Sequence, residues 1–462
     1  MDESKPQIHL SESQELKGPI ELEVMSRAPV ELVWSGKSSP KPLSYTPSFS
    51  TDLIGGRRKN IVYLADNWQA LSNLCFEFKG VFQLIYIDPP FDSQSNYKMK
   101  ISMRTADPKH SVLSTKMLQY TDRWDVSTYC QYLYERLIVA RELLNDTGVL
   151  ALHCDGHRAH QIRQILDEVF GPEHFVNELI WAYKSGGASS KHFSRKHDNI
   201  YLYAKTDQYR LNIPKQKSYV QRSGNKKVTY HTDEQGTYTL VQARDVWNDI
   251  GMLSTAQGIR SGYPTEKPRA LLKRIIEATT QENDWVLDFF LGSGTTVVEA
   301  MSLNRCFVGV DKNPMAIDVC TRRLLADEPG SSVEIRYLNP LDLKEGFEWW
   351  ILDGWLYVDA FLPEDLLSAF NLEKKDFTEE GAKYHWLQLV SRIAIDWDYS
   401  ESIFKSQTLD LPKKGLVKGR YRVPEKYGRI EVRLTDISSV CWKGRQKQKT
   451  LNLAIADRGS SD

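Results

Sequence analysis

Short apolar runs alternate with amphipathic stretches through the middle of the chain. The runs predict strands at Ile61–Ala65, Leu84–Ile87, Val149–His153, Leu179–Tyr183, Asn199–Ala204, Val286–Phe290 and Cys306–Val310. Apolar residues at helical spacing predict helices over Val126–Leu144, Arg158–Phe170, Pro268–Thr279 and Thr295–Leu303. Strands that alternate with helices in this way are typical of an α/β domain with a mostly parallel sheet.

The two ends of the chain follow other patterns. Residues 1–58 include the Ser- and Pro-rich stretch Ser35–Ser50, which has no apolar period, so we expect a flexible N-terminal arm. The composition shifts again near Ala326–Ser332. We therefore place a catalytic α/β domain at residues 59–330. A smaller C-terminal domain is expected at 331–462, where an acidic part precedes a part that alternates as β-strands do.

Composition narrows the class of protein. Of the 462 residues, 41% are hydrophobic and 26% are charged, which excludes a mostly disordered chain and permits a large core. No run approaches the roughly 18 apolar residues of a membrane span, and the chain begins with a polar stretch. The six cysteines form no CxxC pair. We therefore expect a cytoplasmic protein with reduced cysteines and no membrane contact.

Charge is unevenly distributed, although its total is zero. The stretch Lys184–Tyr230 has eleven Lys and Arg residues against two acids, with tyrosines interleaved. Such a stretch suits contacts with the DNA backbone, although a solvated basic face is the simpler alternative. The candidate DNA-binding residues are Lys184, Lys191, Arg195, Lys196, Lys215, Lys217 and Arg222. We expect a DNA-contact and target-recognition insertion at about 184–262.

A glycine-rich turn, read as DFFLGSGTT, follows the strand that ends near Asp288. Gly292 and Gly294 lack a Cβ, so the backbone can turn sharply and approach a ligand. Asp311 ends the next strand, where a carboxylate can accept hydrogen bonds from a ribose diol. The turn matches neither GxGxxG nor the phosphate-binding P-loop. An acid at Asp288 favours a cationic ligand such as a sulfonium amino acid, while a ligand-free turn of Rossmann type is the alternative.

A second motif, DPPF, ends the strand Leu84–Ile87. Two prolines fix the chain as it leaves the strand. The Asp88 carboxylate and the Pro89 carbonyl can accept the hydrogens of a ring amine, and Phe91 can stack on the ring. The plainer alternative is a strand end capped by a Pro-Pro turn with a packed phenylalanine.

Together the two motifs resemble those of the amino-methylating DNA methyltransferases that use S-adenosylmethionine. DPPF precedes the glycine turn, as in the β class, and the chain is similar to the modification subunits of type III restriction systems. The resemblance covers Asn60–Leu325 and includes VYLADNW and YPTEKP. It implies a seven-stranded, mostly parallel, Rossmann-like sheet in a circularly permuted domain. It also implies methyl transfer to an exocyclic amine of a base flipped out of double-stranded DNA.

The resemblance also implies roles for individual residues. The catalytic residues that hold the target base would be Asp88, Pro89, Pro90 and Phe91. The cofactor-binding residues would be Asp66, Thr265, Lys267, Asp288, Phe289, Gly292, Ser293, Gly294, Thr295 and Asp311. Within this set, Asp66 would lie near the cofactor adenine. Thr265 and Lys267 would help to hold the cofactor carboxylate, while Asp288 and Asp311 would bind its ammonium and ribose ends.

The first residue of DPPF bears on the choice of base. Aspartate there favours adenine N6 over cytosine N4, where the family more often carries serine, so we predict a DNA adenine-N6 methyltransferase. A cytosine-N4 enzyme, an RNA methyltransferase and a non-catalytic DNA-binding modification subunit remain alternatives. The sequence does not decide the oligomeric state: the protein acts alone, as a homodimer, or in a complex with a restriction or defence subunit.

A cluster of potential metal ligands follows the third predicted strand. These residues are His153, Cys154, Asp155, His157 and His160. His157 and His160 would share one helix face, but the first three residues end a strand in the ordinary pattern of the resembled family. We therefore predict no metal site.

Overall fold

The computed structural model describes residues 19–20, 22, 30–48, 50–54, 60–92, 94–103, 113–184, 187, 190–219, 229–253, 263, 265–327, 332–339, 341–378, 384–400, 403–413 and 416–447. The helices are α1 (Asn67–Glu77), α2 (Val126–Leu143), α3 (Ala159–Phe170), α4 (Arg269–Thr279), α5 (Thr295–Ser302), α6 (Pro314–Asp327), α7 (Glu364–Ala369) and α8 (Lys375–Thr378). Short 3₁₀ turns lie at Pro172–His174 and Trp386–Leu389.

The strands fall into four sheets. Those in the first half of the chain are β1 (Ser50–Ile54), β2 (Asn60–Leu64), β3 (Phe82–Ile87), β4 (Ser95–Met103), β5 (Leu113–Asp122), β6 (Leu144–Cys154), β7 (Phe175–Ala182), β8 (His197–Ala204) and β9 (Lys215–Ser218). Next come β10 (Tyr230–Asp233), β11 (Gly236–Gln242), β12 (Val246–Trp247), β13 (Trp285–Asp288), β14 (Cys306–Asp311), β15 (Val333–Tyr337) and β16 (Lys344–Leu352). The last are β17 (Trp355–Val358), β18 (Val390–Asp396), β19 (Ile403–Ser406), β20 (Thr408–Asp410), β21 (Arg420–Arg422), β22 (Glu431–Asp436) and β23 (Cys441–Gln446).

The largest sheet has eleven strands in the order β12-β7-β8-β6-β3-β13-β14-β2-β15-β1-β19. All strands from β6 to β15 run parallel, and β8 is antiparallel to both of its neighbours. The seven apolar runs of the sequence form the continuous block from β7 to β2. The expected total of seven strands is nevertheless wrong, because further strands pair with both ends of this block and satisfy backbone groups that an edge would expose.

Two apolar cores lie on opposite faces of this sheet. In β3, Ile85 and Ile87 belong to one core, and Leu84 and Tyr86 belong to the other. This division follows from the alternation of side chains along a strand. Helices α1, α2 and α3 contribute to the first core, and α4, α5 and α6 contribute to the second. Helices therefore cover both faces and leave the ends of the strands available for a site.

The large sheet extends past both of the domain boundaries expected from the sequence. Strand β1 comes from the stretch expected to be a flexible arm, and it pairs with β15 and β19. Strand β15 follows the expected boundary at residue 330, yet it runs parallel to β2. Asp52 of β1 accepts hydrogen bonds from Tyr337 and Arg433 at 3.0 and 2.6 Å. The first contact joins β1 to β15 within the large sheet, and the second joins β1 to β22 of another sheet.

Three smaller sheets complete the described structure. A seven-stranded sheet in the order β20-β18-β22-β23-β16-β17-β21 has its own apolar core. The hairpin β4–β5 follows the DPPF motif, and the sheet β10-β11-β9 lies in the stretch expected to contact DNA. No helix within the described ranges has the length and apolar composition that crossing a membrane requires.

Candidate active site

Four carboxylates lie close together at the carboxyl ends of central strands in the large sheet. Asp66 follows β2, Asp88 follows β3, and Asp288 and Asp311 end β13 and β14. These four strands are neighbours and parallel, so their carboxyl ends lie side by side, where open α/β sheets bind ligands. All four residues line one cavity of about 430 Å³. The topology therefore brings together acids that are distributed over more than half of the chain.

The cavity wall contains most of the residues predicted from the sequence. They are Asp66, Asp88, Pro90, Thr265, Lys267, Asp288, Phe289, Gly292, Ser293, Thr295 and Asp311. Pro89, Phe91 and Gly294 adjoin these residues in the chain but are not part of the wall. Gly294 has φ +78°, and a Cβ there would collide with Cys320 of α6. In the structure this glycine therefore serves the close packing of the turn against α6, not a cavity contact.

Burial changes the protonation of the two acids beside the glycine turn. Asp288 is 2% exposed, and burial raises the pKa of its carboxyl to about 7. The backbone N–H of Phe290 donates to it at 3.0 Å. Burial likewise raises the pKa of Asp311 to about 6, although the N–H groups of Gly292 and Asn313 each donate to it at 2.8 Å. A cationic or hydrogen-bond-donating ligand would stabilise the ionised forms of both groups.

Lys267 contacts the aspartate of the DPPF motif. Its Nζ donates a hydrogen bond to Asp88 Oδ2, and the two side chains are 12% and 18% exposed. The same Nζ lies 5.0 Å from the centroid of the Phe91 ring. The other oxygen, Asp88 Oδ1, is buried and has no hydrogen-bond partner among the residues that the structure describes. Lys267, expected at a cofactor carboxylate, is thus paired with Asp88 here.

The segment that carries Thr265 and Lys267 is fastened to the glycine turn by an arginine of α6. Arg323 contacts the Glu266 carboxylate at 3.2 Å and donates to Ser293 Oγ and Thr295 Oγ1, both at 3.0 Å. Thr265 itself has φ +64°, a conformation that β-branched residues rarely adopt. The contacts of Arg323 hold this strained segment over the cavity. Sequence reasoning missed Arg323, which carries no signal of its own in a helix with several charges.

An aromatic wall, also missed from the sequence, closes the cavity beside Asp66. Tyr132 lies 4.8 Å from Trp124 and 6.1 Å from Phe290, measured between ring centroids. Asn67 donates to the Phe289 carbonyl at 3.3 Å, next to these rings. Flat apolar surface with a few fixed polar groups suits a planar ring. Of these residues, only Asn67 could have been recognised from the sequence, because it directly follows Asp66.

A buried polar chain lies behind the DPPF corner. His153 is fully buried between the Tyr86 hydroxyl at 2.9 Å and Asp198 Oδ2 at 3.1 Å. Tyr183 donates to the other oxygen of Asp198 at 2.9 Å. Burial is the largest single influence on Asp198 and raises its pKa. The hydrogen bonds from His153 and Tyr183, together with the charges of His153 and Lys267, lower the pKa by more, so it lies below its usual value. The His153 ring is 6.1 Å from that of Phe91.

Two of the neighbouring potential metal ligands, Asp155 and His157, contact each other. His157 hydrogen-bonds to Asp155 at 2.6 Å, and Cys154 is buried. In the part of the chain that the structure describes, no group of His, Cys, Asp and Glu is arranged to hold a metal ion.

The predicted DNA-binding residues form two groups. Lys184, Lys191, Arg195 and Lys196 lie in the segment between β7 and β8, and all but the half-buried Lys196 are exposed. Lys215 and Lys217 belong to β9. Lys217 forms an ion pair with Asp233 of the neighbouring hairpin at 2.5 Å, so the two side chains together present little net positive charge to a partner. Arg222 lies outside the described residues.

Comparison with known proteins adds evidence that is independent of this geometry. The type II methyltransferase M.EcaI of Enterobacter cloacae is 24% identical over 351 residues, which cover 61% of this chain and 74% of the relative. The StyLTI Mod subunit of Salmonella typhimurium, part of a type III restriction-modification enzyme, is 25% identical over 328 residues. That match covers 53% of this chain and 50% of the Mod subunit, so the chain spans about half of that relative's length.

A solved structure and a family model complete the comparison. The crystal structure of the M1.HpyAVI–SAM complex aligns with a TM-score of 0.37 and 18% identity, covering 58% of this chain and 99% of the other. A family model described as DNA methylase, of the N6/N4 type, matches residues 82–322, just over half of the chain. That range includes the DPPF corner, the glycine turn and the strands that carry Asp88, Asp288 and Asp311. The chain belongs to the N6/N4 family of DNA methylases.

Proposed function

We propose that the protein transfers a methyl group from S-adenosylmethionine to adenine N6 at a specific site in double-stranded DNA, after flipping the base out of the duplex. The observation that carries this proposal is the single cavity with Asp88 on one side and Asp288 and Asp311 on the other. It provides separate groups for an amine-bearing base and for a cationic cofactor, within one enclosure. The relatives named as methyltransferases and Mod subunits support the same reaction class.

The residues present fit S-adenosylmethionine. The ionised form of Asp288 is disfavoured by burial, so an ammonium group placed beside it would gain a strong partner. The Asp311 carboxylate accepts the backbone N–H groups of Gly292, Lys312 and Asn313. A carboxylate has about four lone-pair sites, so one remains for a ribose hydroxyl. Asp66 and the wall formed by Tyr132 and Phe290 would receive the adenine. When bound, the cofactor supplies an electrophilic methyl group.

The DPPF corner would hold the target amine. The buried Asp88 Oδ1 has no partner among the described residues, so it can accept one amine hydrogen. The Pro89 carbonyl can accept the second, and Phe91 can stack on the base. Two acceptors orient the nitrogen lone pair toward the methyl group, and such alignment supplies much of the rate of a displacement. The proton can leave after the methyl group has transferred, so no strong base is required.

Mass spectrometry of nucleosides tests this proposal. Double-stranded plasmid DNA is incubated with the protein and S-adenosylmethionine that carries an isotopically labelled methyl group. Labelled N6-methyladenine is the expected product. Labelled N4-methylcytosine would contradict the choice of base, and an absence of label in DNA despite cofactor binding would contradict the reaction.

The matched control is Asp88→Ala. It should reduce methyl transfer at least 100-fold while cofactor affinity changes less than threefold, because Asp88 faces the target amine and not the cofactor. Activity within tenfold of the unmodified protein would show that Asp88 has another role.

A further inference from the structure

A fully exposed phenylalanine lies in the segment between β7 and β8. Phe193 is 100% exposed, and it stands between the exposed side chains of Lys191 and Arg195. Single apolar side chains on a surface are common and need no explanation by themselves. Phe193 is of interest because the segment that contains it lies near the cavity.

Sheet topology places this segment on the same side of the large sheet as the cavity, where the parallel strands have their carboxyl ends. Strand β7 is antiparallel to β8, which is antiparallel to β6, and β6 is parallel to β3. The carboxyl end of β7 therefore lies at the same edge as Asp88, which follows β3. Strand β8 is two positions from β3 in the sheet, a separation of about 10 Å at the usual strand spacing. That distance is comparable with the width of the DNA major groove, roughly 12 Å.

Direct contacts fix the root of the segment beside the DPPF corner. The Tyr183 N–H donates to the Lys196 carbonyl at 2.9 Å and closes its base. The Tyr183 side chain donates to Asp198, which contacts His153 at 3.1 Å, and the His153 ring lies 6.1 Å from Phe91. The buried polar chain therefore connects the root of the segment to the corner proposed to hold the flipped base.

The chemistry around Phe193 matches a DNA duplex that has lost a base from its stack. The positive charges of Lys191 and Arg195 would attract the phosphates of DNA, as would the other Lys side chains of this segment. A base drawn out of the helix leaves a gap with two unstacked faces, and an apolar ring inserted there restores part of the lost contact. We propose that Phe193 enters the duplex as a wedge that fills the space of the flipped adenine. This inference rests on the proposed function, since a flipped base is its premise.

The test compares paired and mispaired target bases. The recognition site is first mapped on methylated plasmid DNA, and two synthetic duplexes carry it, one with a paired and one with a mispaired target adenine. On the paired duplex, Phe193→Ala should lower kcat/KM about 10- to 100-fold, the range of alanine substitutions at stacked bases. On the mispaired duplex, whose base is already weakly held, the loss should be less than threefold.

Two further variants sharpen the comparison. Phe193→Trp should retain activity on both duplexes, because it keeps a large flat ring. Tyr427→Ala removes another exposed aromatic side chain, 53% exposed and in the C-terminal part, and should behave as the unmodified protein.

Several outcomes would overturn the wedge. One is an equal loss on both duplexes, which would indicate a general role in DNA binding. Another is unchanged activity of Phe193→Ala on the paired duplex, which would leave a protein partner as the occupant of this surface. An unmodified protein that methylates neither plasmid nor duplex would overturn the proposed function itself, and the wedge with it.

Discussion

The buried carboxylate of Asp288 predicts that cofactor affinity depends on pH near neutrality. Its pKa is about 7 and that of Asp311 about 6, both raised from a usual value of 3.8 by burial. If an ammonium and a ribose bind the ionised forms, affinity falls as the pH decreases through these values. Between pH 7.5 and pH 6.0, Asp288 accounts for about an eightfold loss and Asp311 for about twofold. The dissociation constant of S-adenosylmethionine should thus rise roughly 15-fold.

Asp288→Asn isolates the contribution of this residue. Asparagine keeps the size and the acceptor oxygen but has no charge at any pH. Cofactor binding by this variant should be weak throughout and should change only about twofold from pH 7.5 to pH 6.0, the part that Asp311 supplies. Isothermal titration calorimetry at several pH values measures both proteins. An affinity of the unmodified protein that stays constant over this range, or a variant that keeps the full slope, would refute the reasoning.

The same substitution should stabilise the protein when no cofactor is bound. Each pKa unit corresponds to about 1.4 kcal/mol, so ionising the buried Asp288 costs the folded state about 4 kcal/mol above pH 7. The cost grows as the pH rises from 3.8 to about 7, because only the unfolded chain ionises freely there. At pH 7.5, Asp288→Asn should therefore unfold at a higher temperature than the unmodified protein. The difference should shrink toward pH 4.

The remaining predictions concern a lysine and two glycines. Lys267→Met should lower kcat at least tenfold with little change in cofactor affinity, because Lys267 contacts Asp88; weaker cofactor binding at unchanged kcat would instead place it on the cofactor carboxylate. Gly294→Ala should destabilise the protein by about 2–4 kcal/mol in urea unfolding, since its Cβ would collide with Cys320. Gly80→Ala is the matched control, with φ +71° but open space around it, and should cost only about 1 kcal/mol; equal losses would exclude the collision as the cause.

The sequence predicts the central strands of the large sheet but not the strands at its edges. Seven apolar runs predicted seven strands, because a buried strand requires consecutive apolar residues and is recognisable locally. The structure then shows that these seven strands lie side by side. The strands added at the edge lack that signal. Ser50 of β1 pairs with Tyr337 of β15, and such partners, far apart in the chain, are selected by packing and not by local pattern. Strands β1 and β15 lie outside the expected bounds of the catalytic domain, residues 59–330, for the same reason.

In the candidate site, too, some features are recognisable in the sequence and others only in the structure. The sequence by itself determined the two motifs and the strand-end acids, since turns and strand ends depend on residues adjacent in the chain. Only the tertiary structure decided which groups meet: Lys267 with Asp88, 179 positions apart, and Arg323 with Glu266 and Ser293. It also decided that the pKa of Asp288 is about 7. Burial and ion pairing depend on distant elements that fold against one another, so neither can be read from a local stretch of sequence.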